Sequence, residues 1–166
     1  MTGLRLLLGA VAVLLGLLLQ VTVVDRLPLP GSPPDLVLVL VIAFALAEGP
    51  LSGMLTGLVA GLLADLLGPH ELGRLALVYV VVGYAAGLLD DDRERGALLP
   101  FVVVGAGALA ALLLYAAQGL LLGDPRVGLG SVGRALVSAV PYDVALTPFV
   151  VPVVGLLCRR ARGTTG

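Results

Sequence analysis

Long apolar runs separated by short polar breaks dominate this chain. Leu6 to Val24 is apolar apart from Gln20 near its far end; it stands behind Arg5 and ends in Asp25-Arg26. A cleaved signal peptide has a shorter apolar core followed by a small-residue cleavage site, so we read a retained first span over 4–24. Gln20 lies close to the interface, where a polar side chain needs no functional role. Arg26 to Pro34 (RLPLPGSPP) cannot be helical, because its prolines lack donors and fix φ; it is a stiff loop. Asp35 is then well placed to cap a helix beginning at Leu36. That apolar run ends at Ala47, only about 18 Å at 1.5 Å per residue, against a hydrocarbon core of ~30 Å. Glu48-Gly49-Pro50 breaks it, and a second helix returns from Leu51 to Leu67. The pair forms either two short spans, 35–48 and 51–67, or a re-entrant hairpin. We read two spans; both options return the chain to the same side.

A tight loop, Gly68 to Gly73, leads into a span at 75–89 that carries Tyr79, Gly83, Tyr84 and Gly87. The charged stretch Asp90 to Gly96 precedes a long span at 97–122, whose small residues are Gly105, Gly107 and Ala108. Gly123 to Arg134 reads as a glycine-rich loop. The last span, 135–158, contains Pro141, Pro148 and Pro152, so kinks are expected there. Arg159, Arg160 and Arg162 follow it.

Within this frame Gly49, Gly53, Gly57, Gly61 and Asp65 recur at spacings of four. Four residues advance about 400° on a helix, so they form one slowly drifting ridge without side chains. Each glycine costs a helix roughly 1 kcal/mol against alanine. In lipid the backbone has no other hydrogen-bonding partner, so the helix persists and the glycines admit close approach of another helix. Gly53, Gly57 and Gly61, with the second pair Gly83 and Gly87, are therefore the expected helix-packing or partner interface.

Composition settles the class: 59% hydrophobic and 13% charged residues, with a mean hydropathy of +1.11. A chain of 166 residues has room for about six spans of roughly 20 residues, so the expected fold is an all-α membrane protein, a six-helix bundle with no soluble domain. All ten basic residues are arginines, which excludes Schiff-base chemistry by lysine. Cys158 and His70 are the only residues of their types, so neither an intrachain disulfide nor a histidine-rich metal site can be assembled. No cofactor and no nucleic-acid partner is expected; the partner given by composition is the lipid bilayer.

With six spans, one side holds Arg5, Arg93, Arg95, Arg159, Arg160 and Arg162, and the other Arg26, Arg74, Arg126 and Arg134. The excess, concentrated in the terminal RRAR, places both termini in the cytoplasm. Asp35, Asp65 and Asp143 then all lie toward the external ends of their helices. Carboxylates at membrane depth cost up to ~3 kcal/mol each on insertion scales, so they face the bundle interior or a cavity. Asp35 reads as a cap. For Asp65, pairing with Arg74 across the loop and a functional role stand side by side. Asp143, behind Pro141-Tyr142, is least explained by interfacial placement. No Ser-His-Asp set, zinc spacing, phosphate-binding loop or paired-carboxylate geometry can be assembled, so no catalytic residue is assigned.

The run from Pro34 to Leu89 resembles the core of the MreD family of rod shape-determining membrane proteins. The matching marks are Pro34-Asp35, Gly49-Pro50, Gly53, Gly57, Gly61, Asp65, Leu72-Gly73, Ala76-Leu77 and Gly83-Tyr84 with Gly87. Pro141 to Val154 (PYDVALTPFVVPVV) is similar to that family's terminal span, where an aromatic is often followed by asparagine; Asp143 after Tyr142 departs from that. The resemblance implies a non-enzymatic scaffold of bacterial cell-wall elongation in the plasma membrane. It implies an MreC-like bitopic partner and, through it, the wall-synthesis transglycosylase and transpeptidase and the actin-like MreB filament. Pro34, Asp35, Asp65, Tyr142 and Asp143 would be its structural or partner-contacting polar residues. The family fold is also similar to the S component of energy-coupling-factor transporters, which makes a substrate-binding subunit of a vitamin-type transporter the alternative. Short external loops with few polar or aromatic groups, and the lack of tryptophan, weigh against it.

Overall fold

The computed structural model describes residues 3–68, 72–89, 96, 98–125 and 128–163. His70, Arg93, Arg95 and Arg126 lie outside the described residues. Among the described residues six α-helices follow in order: α1 (Gly3–Thr22), α2 (Leu36–Glu48), α3 (Pro50–Leu67), α4 (Arg74–Leu88), α5 (Leu99–Leu122) and α6 (Leu129–Gly163). A single 3-10 turn, Val24–Arg26, follows α1, and no strand is present among the described residues. Among the described residues, four helical segments are long and apolar enough to cross a membrane: Gly9–Arg26, Pro50–Leu67, Leu99–Leu122 and Gly130–Arg160.

The bundle is arranged around α2. This helix is apolar on every side, and a helix without a polar face belongs in an interior. Val39, Val41, Ile42 and Ala45 are each 0% exposed, and α2 touches all five other helices. Enclosure also explains how a 13-residue helix serves in a membrane protein. Its ends are met by protein groups, so they need not reach both lipid interfaces. The Asp35 side chain caps its start by accepting the Leu38 N–H at 2.9 Å. Gly49, at φ 89°, ends it in a backbone conformation that favours glycine, and Pro50 opens α3 at once.

The outward faces are apolar. On α1, Leu14, Leu15, Leu18 and Leu19 are exposed while Val13 and Leu17 are buried; on α3, Leu51, Leu55, Leu58 and Leu66 point away from the glycine ridge. In a bundle of this composition these faces are where lipid chains pack.

The last helix departs from expectation at its start. The glycine-rich stretch read as a loop up to Arg134 is helical from Leu129, so α6 begins before the expected span at 135–158. Ser131 provides the local reason: its hydroxyl donates to the Gly128 carbonyl at 2.8 Å and accepts the Gly128 N–H at 2.9 Å. The Val132 N–H closes the turn on Gly128 O at 3.0 Å. The helix then runs without a break through Pro141, Pro148 and Pro152.

Candidate functional site: a polar cluster and cavity at one end of the bundle

The α3–α4 contact, the most extensive between any two helices, sets the frame of the site. A Cβ added at Gly53 would strike the Gly83 backbone, one at Gly57 the Tyr79 carbonyl, one at Gly61 the Ala76 backbone, and one at Gly87 the Pro50 backbone. Each step of about four residues forward on α3 is thus a step of about four back on α4. The two glycine ridges face each other in an antiparallel hairpin, and all five glycines are occupied within the chain.

Asp65, 3% exposed, ends that ridge and anchors the turn into α4. Its carboxylate accepts the N–H groups of Gly73 at 2.9 Å, Leu75 at 3.1 Å and Ala76 at 3.3 Å, which are otherwise orphan donors of a helix start. Pairing with Arg74 is therefore corrected. Arg74, 6% exposed, turns instead toward the end of α5: it bonds Asp124 at 2.7 Å and the Tyr115 carbonyl at 3.3 Å. Its guanidinium also lies 4.0 Å from the centre of the Tyr115 ring. Opposite charge nearby in sequence lost to opposite charge nearby in space, because the first turn of α4 directs residue 74 away from the α3 ridge.

A second polar cluster joins α1, α2, α4 and α6 beneath the proline-rich loop. Asp35 Oδ2 accepts the Tyr79 hydroxyl at 2.6 Å, and the Asp35 N–H donates to Asp143 Oδ1 at 2.6 Å. Gln20 accepts the Leu36 N–H at 2.9 Å and donates to the Pro34 carbonyl at 3.0 Å and to Asp25 at 2.7 Å. The Ser32 N–H donates to Ser138 Oγ at 2.8 Å, and the Tyr142 hydroxyl to the Pro30 carbonyl at 3.4 Å. Buried amides and carboxylates therefore find partners on neighbouring helices, which fixes the register of four elements at one level.

These groups border a cavity of about 570 Å³ whose lining includes Gln20, Asp35, Tyr79, Tyr115 and Asp143. Of the polar residues singled out in the sequence, Pro34, Asp35 and Asp143 converge on it. Asp65 sits apart at the α3–α4 corner, and Tyr142 reaches the loop instead. Tyr79 was not singled out, Gln20 was read as an interfacial side chain without a role, and Arg74 only as a partner for Asp65. Tyr79 had a legible signal: it stands four residues before Gly83, on the buried face of α4, where a phenol needs a polar partner. Arg74 and Asp124 had none, being 50 residues apart.

The sequence matches the family described as rod shape-determining protein MreD over residues 2–118. No curated protein and no solved structure matches the chain, and the expected similarity to the S-component fold is without support. The matched region runs from α1 through most of α5, and includes Gln20, Asp35, the glycine ridges, Asp65 and Tyr79. Tyr142 and Asp143 on α6 fall beyond it. With more than half of its length matched and an all-helical bundle of apolar helices around the glycine hairpin, this chain is an integral membrane protein that belongs to the MreD family of rod shape-determining proteins.

Proposed function

We propose that this protein is a non-enzymatic scaffold of the bacterial wall-elongation machinery, lying in the plasma membrane with both termini in the cytoplasm. Its family membership is the observation that carries the reading: the MreD family determines cell shape. It acts by presenting helix surfaces to an MreC-like bitopic protein and, through that partner, to the wall-synthesis enzymes and the MreB filament. The internal chemistry agrees with such a role. The glycine ridges hold α3 to α4, Asp65 holds the turn between them, and Arg74 holds α4 to α5. Partner binding then falls to outward faces, because packed apolar surface rather than a reacting group drives association in lipid. Asp35, Asp65 and Asp143 keep helix ends together, and the cytoplasmic orientation rests on the excess of arginine at that side.

Co-purification in mild detergent tests this. An MreC-like protein co-expressed with the chain should be retained, and retention should survive Asp143→Asn. A correctly folded chain that retains no such partner would refute the scaffold reading.

A further inference from the structure

The cavity beneath the proline-rich loop has an unbalanced lining. Asp25, Asp35 and Asp143 contribute carboxylates to it, and among the described residues no arginine, lysine or histidine appears in its wall. Asp35 accepts from Tyr79 and Leu38, and Asp25, which accepts from Gln20, is exposed. Asp143 is not. It is 2% exposed, and among the described residues its carboxylate accepts one hydrogen bond, from the Asp35 amide. A carboxylate has about four acceptor positions, and one buried with a single donor beside a second carboxylate calls for a donor or a positive charge.

The rest of the wall states what must accompany that charge. Leu17, Leu38, Val78, Ala111 and Val140 make it largely apolar, and about 570 Å³ lies within the ~300–1,000 Å³ typical of small-molecule sites. Among the described residues, no three His, Cys, Asp or Glu side chains are grouped to hold a metal ion. We propose that this cavity binds a small amphipathic amine. Its ammonium would sit by Asp35 and Asp143, supplying the donors that Asp143 lacks, and its apolar body would lie against the leucine and valine wall. This goes beyond the scaffold reading and does not depend on it.

The test uses the purified full chain in lipid nanodiscs, titrated with phenethylamine and hexylamine. 2-Phenylethanol, hexanol and hexanoate serve as neutral and anionic counterparts of matching shape. Melting temperature is one readout. Tyrosine fluorescence is the second, clean because the chain has no tryptophan and useful because Tyr79 and Tyr115 line the cavity. The amines should raise the melting temperature saturably and perturb the tyrosine signal, and their counterparts should do neither. Asp143→Asn should weaken amine binding at least tenfold. Ala111→Leu, which narrows the cavity at its apolar wall and keeps every carboxylate, should weaken it and decides the matter if Asp143→Asn fails to fold. Absence of a saturable amine effect, an equal effect from the alcohols, or binding unchanged in Ala111→Leu would each overturn the proposal. None of these results bears on partner retention, so the scaffold reading stands or falls separately.

Discussion

Gly57→Leu is the sharpest probe of the fold. A Cβ at position 57 would lie 2.6 Å from the Tyr79 carbonyl carbon and 3.0 Å from the Val80 nitrogen, whereas ordinary contact begins at 3.4 Å. Both obstacles are backbone, so no rotamer change relieves them; with the Tyr79 oxygen nearer still, α3 and α4 must part by at least about 0.8 Å for the Cβ alone. Overpacking of this kind costs about 1–3 kcal/mol. Parting the helices also draws the Tyr79 hydroxyl away from Asp35, a bond of 2.6 Å. A hydrogen bond to a charged group contributes about 1.5–3 kcal/mol. The better helix propensity of leucine returns less than about 1 kcal/mol, leaving a net loss of about 3 kcal/mol. Gly133→Leu is the fitting control: a Cβ there meets nothing within 4 Å, and the residue is helical. Gly123 would serve poorly, because its φ of 69° strains any side chain. Unfolding by SDS titration in dodecyl maltoside, followed by helical circular dichroism, measures the difference. If Gly57→Leu unfolds within ~0.5 kcal/mol of Gly133→Leu, the glycine ridges do not form the close contact on which this reasoning rests.

Tyr79→Phe should lower stability by about 1.5–3 kcal/mol in the same assay, and combining it with Asp35→Ala should cost less than the two separately, because both remove one shared bond. Asp65→Ala strands the amides of Gly73, Leu75 and Ala76 and should cost about 2 kcal/mol, with faster hydrogen exchange at those amides. Asp65→Asn keeps one acceptor oxygen and should cost less. Topology reporters placed after residue 166 and within 125–128 should report opposite sides of the membrane; the same side for both would refute the six-span orientation.

Much of the architecture was legible in the residues because its causes are local. An apolar run of membrane length must be helical in lipid, since only a helix satisfies its own backbone there. Glycines four apart share one helix face whatever surrounds them, so a close-packing ridge on α3 could be read directly. The cap at Asp35 needed only the amide of Leu38, three residues on. Even the brevity of α2 was visible, though not its enclosure: nothing in a short apolar run says that the five other helices all pack against it. The start of α6 was hidden because glycine and serine suit loops in water, while at Leu129 a serine hydroxyl closing on Gly128 was enough to begin the helix.

Tertiary structure alone chose the partners. The α3 ridge meets Gly83, Tyr79 and Ala76 because the turn held by Asp65 folds α4 back along it, a geometry absent from the spacing of the glycines themselves. Asp35 finds Tyr79 and Asp143 at sequence separations of 44 and 108, and Arg74 passes over Asp65 for Asp124. Side-chain hydrogen bonds reach only about 3 Å, so such pairs depend on how whole helices are placed, and helix placement is set by packing over the entire bundle.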